Sequence, residues 1–147
     1  MEKIINAFIL TTFCFCFAFS QKESRKPSQD EAIKSSPAYA EVLLRKVELE
    51  AELEDLLMAY TENHPKIQQT KYEVSKLNQE LEKFRAFEPN KIQKMSLSLG
   101  KLVVRKVQIE VDLWLLLQKY TEEEEIVKRT RKKLTVFENA IKEILNN

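Results

Sequence analysis

The only histidine of the chain, His64, lies between a carboxylate and a proline, and this setting suggests two kinds of chemistry. Glu62 stands two positions before it, and Pro65 follows it. Imidazole and carboxylate groups are common metal ligands, but one imidazole among mobile carboxylates makes a weak site. A polar residue before proline is ordinary turn chemistry. We therefore predict a turn at His64 and no metal site.

A second candidate site is the run of four glutamates at positions 122–125. Carboxylate oxygens are the ligands that calcium prefers. Consecutive helical positions point about 100° apart, however, so these side chains would not converge on one ion. The run also precedes an apolar heptad pattern, where acidic residues favour the positive end of the helix dipole. We predict a helix N-terminus here and no calcium site.

Positions 128–133 carry five basic residues in six. Anionic lipid, polysaccharide or nucleic acid would be the corresponding partners. The whole chain has 24 Lys and Arg against 23 Asp and Glu, so no global field attracts a polyanion. We predict a solvated helix face balanced by nearby glutamates, and no nucleic-acid partner.

Residues suited to catalysis are sparse. The chain has one Gly, which argues against glycine-rich phosphate-binding loops, and its two cysteines, Cys14 and Cys16, lie near the N-terminus. The sequence offers no Ser/His/Asp or Cys/His set, and carboxylates on solvated helices are poor general acids at neutral pH. We predict a non-enzymatic protein without catalytic residues or a cofactor.

Residues 1–20 have the pattern of a secretory signal peptide. Lys3 supplies a positive charge, residues 4–19 are mostly apolar, and Ala18 and Ser20 occupy the −3 and −1 positions of a cleavage site. The apolar run is shorter than the roughly 20 residues that a membrane-spanning helix needs. We predict cleavage and a periplasmic or secreted protein without cysteine. The alternative is an uncleaved anchor, and only retention of residues 1–20 would attach the protein to a membrane.

The next segment, residues 21–35, is polar, contains Pro27 and lacks apolar periodicity, which predicts a disordered linker. Ser36 followed by Pro37 is typical of a helix start. We predict a first helix from there to about Tyr60, with an apolar stripe wide enough for a bundle. The stripe consists of Leu49, Leu53, Leu56 and Tyr60, widened by Val42, Leu43, Val47 and Leu57.

The second predicted helix begins at Pro65, with Asn63 or Thr61 as its cap. It ends before Pro89, because proline disfavours the helical conformation of the preceding residue. Its apolar side chains form an unbroken heptad ladder. The ladder contains Ile67, Thr70, Val74, Leu77, Leu81 and Phe84.

The third predicted helix begins between residues 91 and 101 and ends at Tyr120, with Gly100 as a kink or a late start. A strand is the competing prediction for residues 102–107, but the sequence offers it no partner strand. The fourth helix carries a second heptad ladder. That ladder contains Val127, Thr130, Leu134, Phe137, Ile141 and Ile144.

The second half of the chain repeats the first at an offset of 60 residues (105 − 45). The tripeptide Tyr-Thr-Glu at residues 60–62 recurs at 120–122, and the two ladders coincide, with Thr70 matching Thr130. Identical residues also recur for Arg45, Lys46, Val47, Glu50, Leu53, Leu56 and Leu57. Self-similarity without a gap indicates tandem duplication of a helical hairpin.

Each predicted hairpin has an apolar stripe that it cannot bury alone. We therefore predict an all-α fold in which hairpin 1, residues 36–87, and hairpin 2, residues 91–147, pack as an antiparallel four-helix bundle. Two hairpins laid end to end as an elongated coiled coil, or a dimer that shares the stripes, are the alternatives. Helices of about 25 residues, roughly 35 Å long, make each arrangement a rod.

One stretch follows a known pattern: Tyr60, polar residues, His-Pro at 64–65, and an apolar heptad through Leu81. In this, residues 60–84 resemble the periplasmic coiled-coil segment of polysaccharide co-polymerases, the chain-length determinant proteins. The resemblance implies a helical hairpin located in the cell envelope. It matches no catalytic residue. Those proteins carry two membrane-spanning helices, whereas this sequence shows no second span, and residues 123–125 replace Asn-His-Pro in the second copy.

The third helix contains the most apolar stretch after the signal peptide, residues 111–117. Trp114 stands where the first copy has Glu54. The apolar surface of Val111, Trp114 and Leu115 therefore exceeds the ordinary stripe and is the best candidate for a partner-binding face.

From these features we predict a non-enzymatic, exported structural or interaction protein of the bacterial cell envelope. Its partner would be another protein or a second copy, bound through helix faces. The alternatives are a periplasmic holdase-type chaperone and an accessory factor of polysaccharide export.

Overall fold

The computed structural model describes residues 28–146. The predicted signal peptide at residues 1–20 and the first part of the predicted linker lie outside the described residues. All regular structure within residues 28–146 is helical, which confirms the all-α prediction. The helices are α1 (Gln29–Lys34), α2 (Pro37–Ala59), α3 (Pro65–Arg85), α4 (Pro89–Ile92), α5 (Leu97–Leu117) and α6 (Glu125–Asn146).

The short helix α1 corrects the linker prediction for residues 29–34. Ser28 and Glu31 form a capping box, in which each side chain satisfies the other residue's backbone N–H. Ile33 is buried in the core, and the Gln29 side chain donates a hydrogen bond to the carbonyl of Phe87 at 2.8 Å. A single buried apolar residue gives no periodic pattern in the sequence, yet the capping box and the burial of Ile33 hold this helix against the core.

Helices α2 and α5 each begin at a serine cap and approach each other closely at these ends. Ser36 and Ser96 accept hydrogen bonds from backbone N–H groups three positions later. Gly100 lies inside α5, where an added Cβ would stand 2.8 Å from Glu41 Cβ and 2.9 Å from the Ala38 carbonyl oxygen. The single glycine of the chain therefore permits close packing of α5 on α2.

The core lies where α2, α3 and α5 meet. Extensive contacts join α2 with α3, α2 with α5, α3 with α5, and α5 with α6. Helix α6 packs extensively on α5 alone, and Val127 is its one fully buried residue among those described. The buried core cluster consists of Ile33, Ala38, Tyr39, Val42, Leu49, Leu77, Leu81, Phe84, Met95, Leu99, Val103, Val107 and Val111.

Cross-helix contacts give the direction of the helices. Arg45 pairs with Glu73, and Glu52 pairs with Lys66, so residue numbers rise along α2 as they fall along α3. On the other side, Glu80 pairs with Lys106 while Tyr72 stacks on Trp114. Helix α3 is therefore antiparallel to both α2 and α5.

Local contacts of the first half recur at the offset of 60 residues. Helices α2 and α5 begin 60 positions apart, and so do α3 and α6. The Thr70 hydroxyl donates to the Lys66 carbonyl at 3.0 Å, and Thr130 donates to Ile126 at 2.9 Å. Further matched pairs are Lys46–Glu50 with Lys106–Glu110, and Glu62–Lys71 with Glu122–Arg131.

The predicted stripe of α2 is only partly correct. Val42 and Leu49 are buried, but Tyr60 at the C-cap is exposed, and so are Leu43, Val47 and Leu57. Their prediction as part of the buried stripe is wrong, because α3 and α5 both pack on the side of α2 that carries Val42 and Leu49, and the opposite side stays open.

Candidate functional site

The three predicted partner-binding residues do not form one surface. Val111 is buried in the core and offers no area to a partner, which corrects its assignment. Leu115 is half-buried and packs against the same core. Trp114 faces α3, where its ring stacks on Tyr72 with centroids 4.6 Å apart and planes inclined by 14°. The partner role of Trp114 and Leu115 remains a prediction.

An exposed apolar surface lies instead on α2. We call it the α2 strip. Met58 is 85% exposed and Val47 is 51% exposed. The strip consists of Ala40, Leu43, Leu44, Val47, Ala51 and Met58, all of which are exposed and lie on one side of the helix. These residues lie on the side of α2 opposite Val42 and Leu49.

A second surface is a groove between α5 and α6, which we call the open groove. Its volume is about 330 Å³. Arg105, Ile109 and Asp112 line it from α5, and Thr130, Lys133 and Phe137 line it from α6. Helical spacing places each set of three along one stripe of its helix.

A buried ionic cluster connects α3 with α5. The Lys106 ammonium donates to Glu80 Oε1 at 2.8 Å and lies 3.0 Å from Glu110 Oε1. Lys83 donates to the same Glu80 oxygen at 2.6 Å. The side chains of Lys106 and Glu80 are each 10% exposed, so the pair is shielded from bulk water.

The cluster keeps both ions charged. Burial alone would raise the pKa of Glu80, but hydrogen bonds and charges from Lys106 and Lys83 outweigh it and lower that pKa. Burial alone would lower the pKa of Lys106, but the hydrogen bonds that it donates to Glu80 and Glu110, and their negative charges, outweigh burial and raise that pKa. A carboxylate and an ammonium stabilised in this way do not exchange protons near neutral pH, so the cluster suits helix packing and not acid–base chemistry.

A cavity of about 280 Å³ adjoins this cluster between α3, α5 and α6. Its polar lining consists of Glu80, Lys83, Lys106, Glu138 and Lys142. Apolar walls come from Phe84, Phe87, Val103, Ile141 and Leu145. The cavity separates α6 from α3. Helix α6 therefore packs incompletely onto the core formed by α2, α3 and α5.

A second interhelical clamp joins α2 to α3. Arg45 donates through Nε and a terminal nitrogen to Glu73 Oε1, at 3.1 and 2.9 Å. Sequence reasoning missed the structural roles of Glu73, Glu80 and Lys106. Their signal is the position of a charged residue inside an apolar arc, with Glu73 and Glu80 one heptad apart and Lys106 between Val103 and Val107.

His64 is a turn residue, as predicted. Its Nδ1 accepts a hydrogen bond from the Lys66 backbone N–H at 3.2 Å, so His64 itself caps α3. The predicted caps Asn63 and Thr61 are wrong, because Pro65 occupies the first helical position and leaves the residue before it to cap. The imidazole also stacks on Tyr60 with ring centroids 4.2 Å apart.

Glutamates at positions 122–125 form ion pairs with basic residues of the stretch 128–133 that follows them. Ion pairs join Glu122 with Arg131, Glu123 with Lys128, and Glu125 with Arg129. The hydrogen bond from Arg129 lowers the pKa of Glu125. These pairs confirm the predicted solvated face in which glutamates balance the basic residues.

Within residues 28–146, no group of three or more His, Cys, Asp or Glu side chains is arranged to hold a metal ion. No helix in that part of the chain is both long and apolar enough to cross a membrane. Comparison of the chain with protein-family models, with curated proteins and with solved structures finds no match.

Proposed function

We propose that this chain is a structural or interaction protein that acts through its helix faces and has no catalytic role. The observation that carries the proposal is the α2 strip. Its side chains Leu44, Val47 and Met58 are exposed to solvent, whereas the opposite side of α2 packs in the core. Contiguous exposed apolar surface of this kind marks protein–protein interaction sites.

The use of the charged side chains supports the same proposal. Glu80 and Lys106 connect α3 with α5, and Arg45 and Glu73 connect α2 with α3. Groups held in this way position helices. Glu80 and Lys106 also line the cavity between α3, α5 and α6, where Glu138 is a second acid, but these two ions are paired with each other.

For the architecture, we propose that the chain is a tandem duplication of a helical hairpin, with α2–α3 and α5–α6 as its two copies in a four-helix arrangement. The recurrence of caps, threonine hydrogen bonds and ion pairs at one offset supports duplication. The contact of α5 with both α2 and α3 supports side-by-side packing.

For the location, we propose export to the periplasm or the outside of a bacterial cell after cleavage of residues 1–20. Mass spectrometry of the N-terminus of the protein isolated from cells tests this, because a mature chain beginning at Gln21 is the expected result. Retention of residues 1–20 would favour membrane attachment and, with the resemblance of residues 60–84, a role as an accessory of polysaccharide export.

A holdase-type chaperone is the second candidate, because the α2 strip also suits transient binding of unfolded clients. Met58 in particular is an adaptable, almost fully exposed apolar side chain. A holdase should suppress aggregation of a reduced client protein at equimolar ratio, and Met58→Glu should weaken that effect.

Site-specific photo-crosslinking in cells tests the interaction role itself. A crosslinking residue at Met58 or Val47 should capture a protein, either a second copy or another partner, in discrete bands. The matched control is Val136, an exposed apolar position on α6 outside the strip. Equal crosslinking from Val136, or none from the strip, would contradict the proposal.

A further inference from the structure

The packing of α5 on the first helix pair is an interface with two halves. One half is the groove between α2 and α3, represented in the core by Leu49 and Leu77. The other half is the face of α5 that carries Val103 and Val107, which belong to the same buried cluster. Because the chain repeats at an offset of 60 residues, each half has a counterpart elsewhere in the molecule.

The counterpart of the α2–α3 groove is the open groove on α5–α6. The residues that line it lie 60 positions after Arg45, Leu49, Glu52, Thr70, Glu73 and Leu77. Leu77 is fully buried, whereas its counterpart Phe137 is half-buried. Glu73 is buried, whereas its counterpart Lys133 is exposed. Helix α5 fills the groove of the first copy, whereas no helix within residues 28–146 of the same chain fills the open groove of the second copy.

The counterpart of the inserted α5 face is the α2 strip. Leu43 and Val47 correspond to Val103 and Val107. Val107 has no exposed surface, whereas Val47 is 51% exposed. Each helix pair thus has a groove and a helix face that could fill such a groove. Within the described part of one chain, only the groove of the first pair and the α5 face of the second pair are used.

We propose that a second copy of this chain inserts its α2 strip into the open groove, so that copies associate head to tail. This inference rests on the proposed interaction function and names its partner. Charge supports the match: α2 has six acidic and two basic side chains, whereas the open groove is lined by two basic residues, Arg105 and Lys133, and one acidic residue, Asp112. Lys133 lies in the groove itself, facing the incoming acidic helix. An interface between two different surfaces leaves one strip and one groove free in a dimer, so further copies add until a ring closes or a filament forms.

Sedimentation velocity of the purified chain over a range of concentrations tests the proposal. We expect assembly that grows with concentration beyond the dimer. Val47→Glu blocks the strip and Phe137→Glu blocks the groove, and each should raise the dissociation constant tenfold or more, because each buries an unpaired carboxylate. Val136→Glu is the control and should leave assembly unchanged.

Mixing the two blocked variants distinguishes the head-to-tail mode from a symmetric dimer. A Val47→Glu chain keeps an intact groove, and a Phe137→Glu chain keeps an intact strip, so the mixture should form dimers that grow no further. A mixture that stays monomeric would overturn the head-to-tail mode. Where circular dichroism shows that Phe137→Glu loses helix, Lys133→Glu replaces it, since that exposed residue lines the same groove.

The proposed function and this inference fail separately. A chain that stays monomeric at all concentrations, or whose assembly ignores Val47→Glu and the groove variants, overturns self-association. Crosslinking of Met58 to a different protein would then still support the interaction role. Loss of crosslinking from the α2 strip would remove the broader proposal as well.

Discussion

The two helix pairs of this chain have the same local contacts and different surroundings. Ser36 and Ser96 cap their helices in the same way, and Thr70 and Thr130 make the same hydrogen bond. Yet α3 contributes seven buried residues, whereas Val127 is the one buried residue described on α6. The matched residues make the same contacts within their helices, and the two pairs differ in what covers those helices.

The difference arises from the position of α5. It lies between the first pair and α6, in contact with α2 and α3 on one side and with α6 on the other. Helix α3 is therefore enclosed by α2 and α5, while α6 rests on α5 alone. The first pair supplies most of the core, and the second pair supplies one core helix and one peripheral helix.

The largest expected effect comes from truncating equivalent residues of α3 and α6, the enclosed and the peripheral helix. Leu77→Ala should cost about 3 kcal/mol of unfolding free energy, because it opens a cavity in the enclosed core. Phe137→Ala removes a larger side chain from the equivalent position, yet it should cost only about 1–2 kcal/mol, because half of that ring is already hydrated. Urea unfolding measures both, at concentrations where the chain is monomeric.

A cost for Phe137→Ala equal to or above that of Leu77→Ala would contradict the contrast. It would mean that α6 is enclosed in the monomer as fully as α3. The matched control is Val136→Ala, an exposed position on α6 that should change stability by less than about 0.5 kcal/mol.

The ionic cluster is a second difference between α3 and α6, because α6 has no carboxylate equivalent to Glu80. Glu80 corresponds to Ala140. Glu80→Ala should cost about 3 kcal/mol, the low end for stranding a buried charge, since Glu110 still pairs with Lys106. Replacing both ions by methionine, Glu80→Met with Lys106→Met, should restore stability to within about 1 kcal/mol of the original chain.

These variants separate a buried ion pair from a surface one. A double variant no more stable than Glu80→Ala would show that the pair contributes net stability beyond its own desolvation. The surface control is Glu82→Ala, which removes an exposed pair with Arg85 and should cost less than about 1 kcal/mol.

The dependence of stability on pH follows from the two shifted pKa values. The pKa of Glu80 is lowered in the folded chain, so its contribution is present above the unfolded value of about 4.3 and is lost as pH falls through the folded value. The pKa of Lys106 is raised, so its contribution is present below about 10.4 and is lost as pH rises through the folded value. Stability from this pair is therefore level across neutral pH.

Comparison of the original chain with Glu80→Gln measures how the contribution of Glu80 to stability is lost at low pH. The difference in unfolding free energy between them should be constant from pH 6 to 8 and should shrink as pH falls below about 4. Urea titrations at each pH measure it. A difference that stays constant down to pH 2 would mean that Glu80 does not titrate with a lowered pKa.

The sequence predicted the helices well because their ends depend on local chemistry. Ser36 before Pro37 and the proline at position 65 mark α2 and α3 within one residue of the observed starts. The heptad ladders mark the right face of α3 and α6. These signals depend on neighbours within four positions, which a sequence displays directly.

The sequence did not predict which face a distant helix would cover. Leu43 and Val47 look like part of the α2 stripe, but their burial depends on where α5 packs. Val111 was assigned to a partner surface because of its apolar neighbours, but it belongs to the buried core cluster. The charged residues Glu80 and Lys106 pair across helices, a contact that periodicity within either helix does not encode.

The smallest expected effect tests the shared part of the two pairs. Ser36→Ala and Ser96→Ala each remove a helix cap and should each cost about 1 kcal/mol. Ser36 should cost slightly more, because its hydroxyl also donates to the Ile33 carbonyl at 2.7 Å and thereby holds α1. Thermal or urea unfolding of the two variants and of Ser98→Ala, an exposed non-capping serine, gives the comparison. Capping energies that differ severalfold would show that the repeated local contacts are not equivalent, and the likeness between the copies would then lie in their sequence alone.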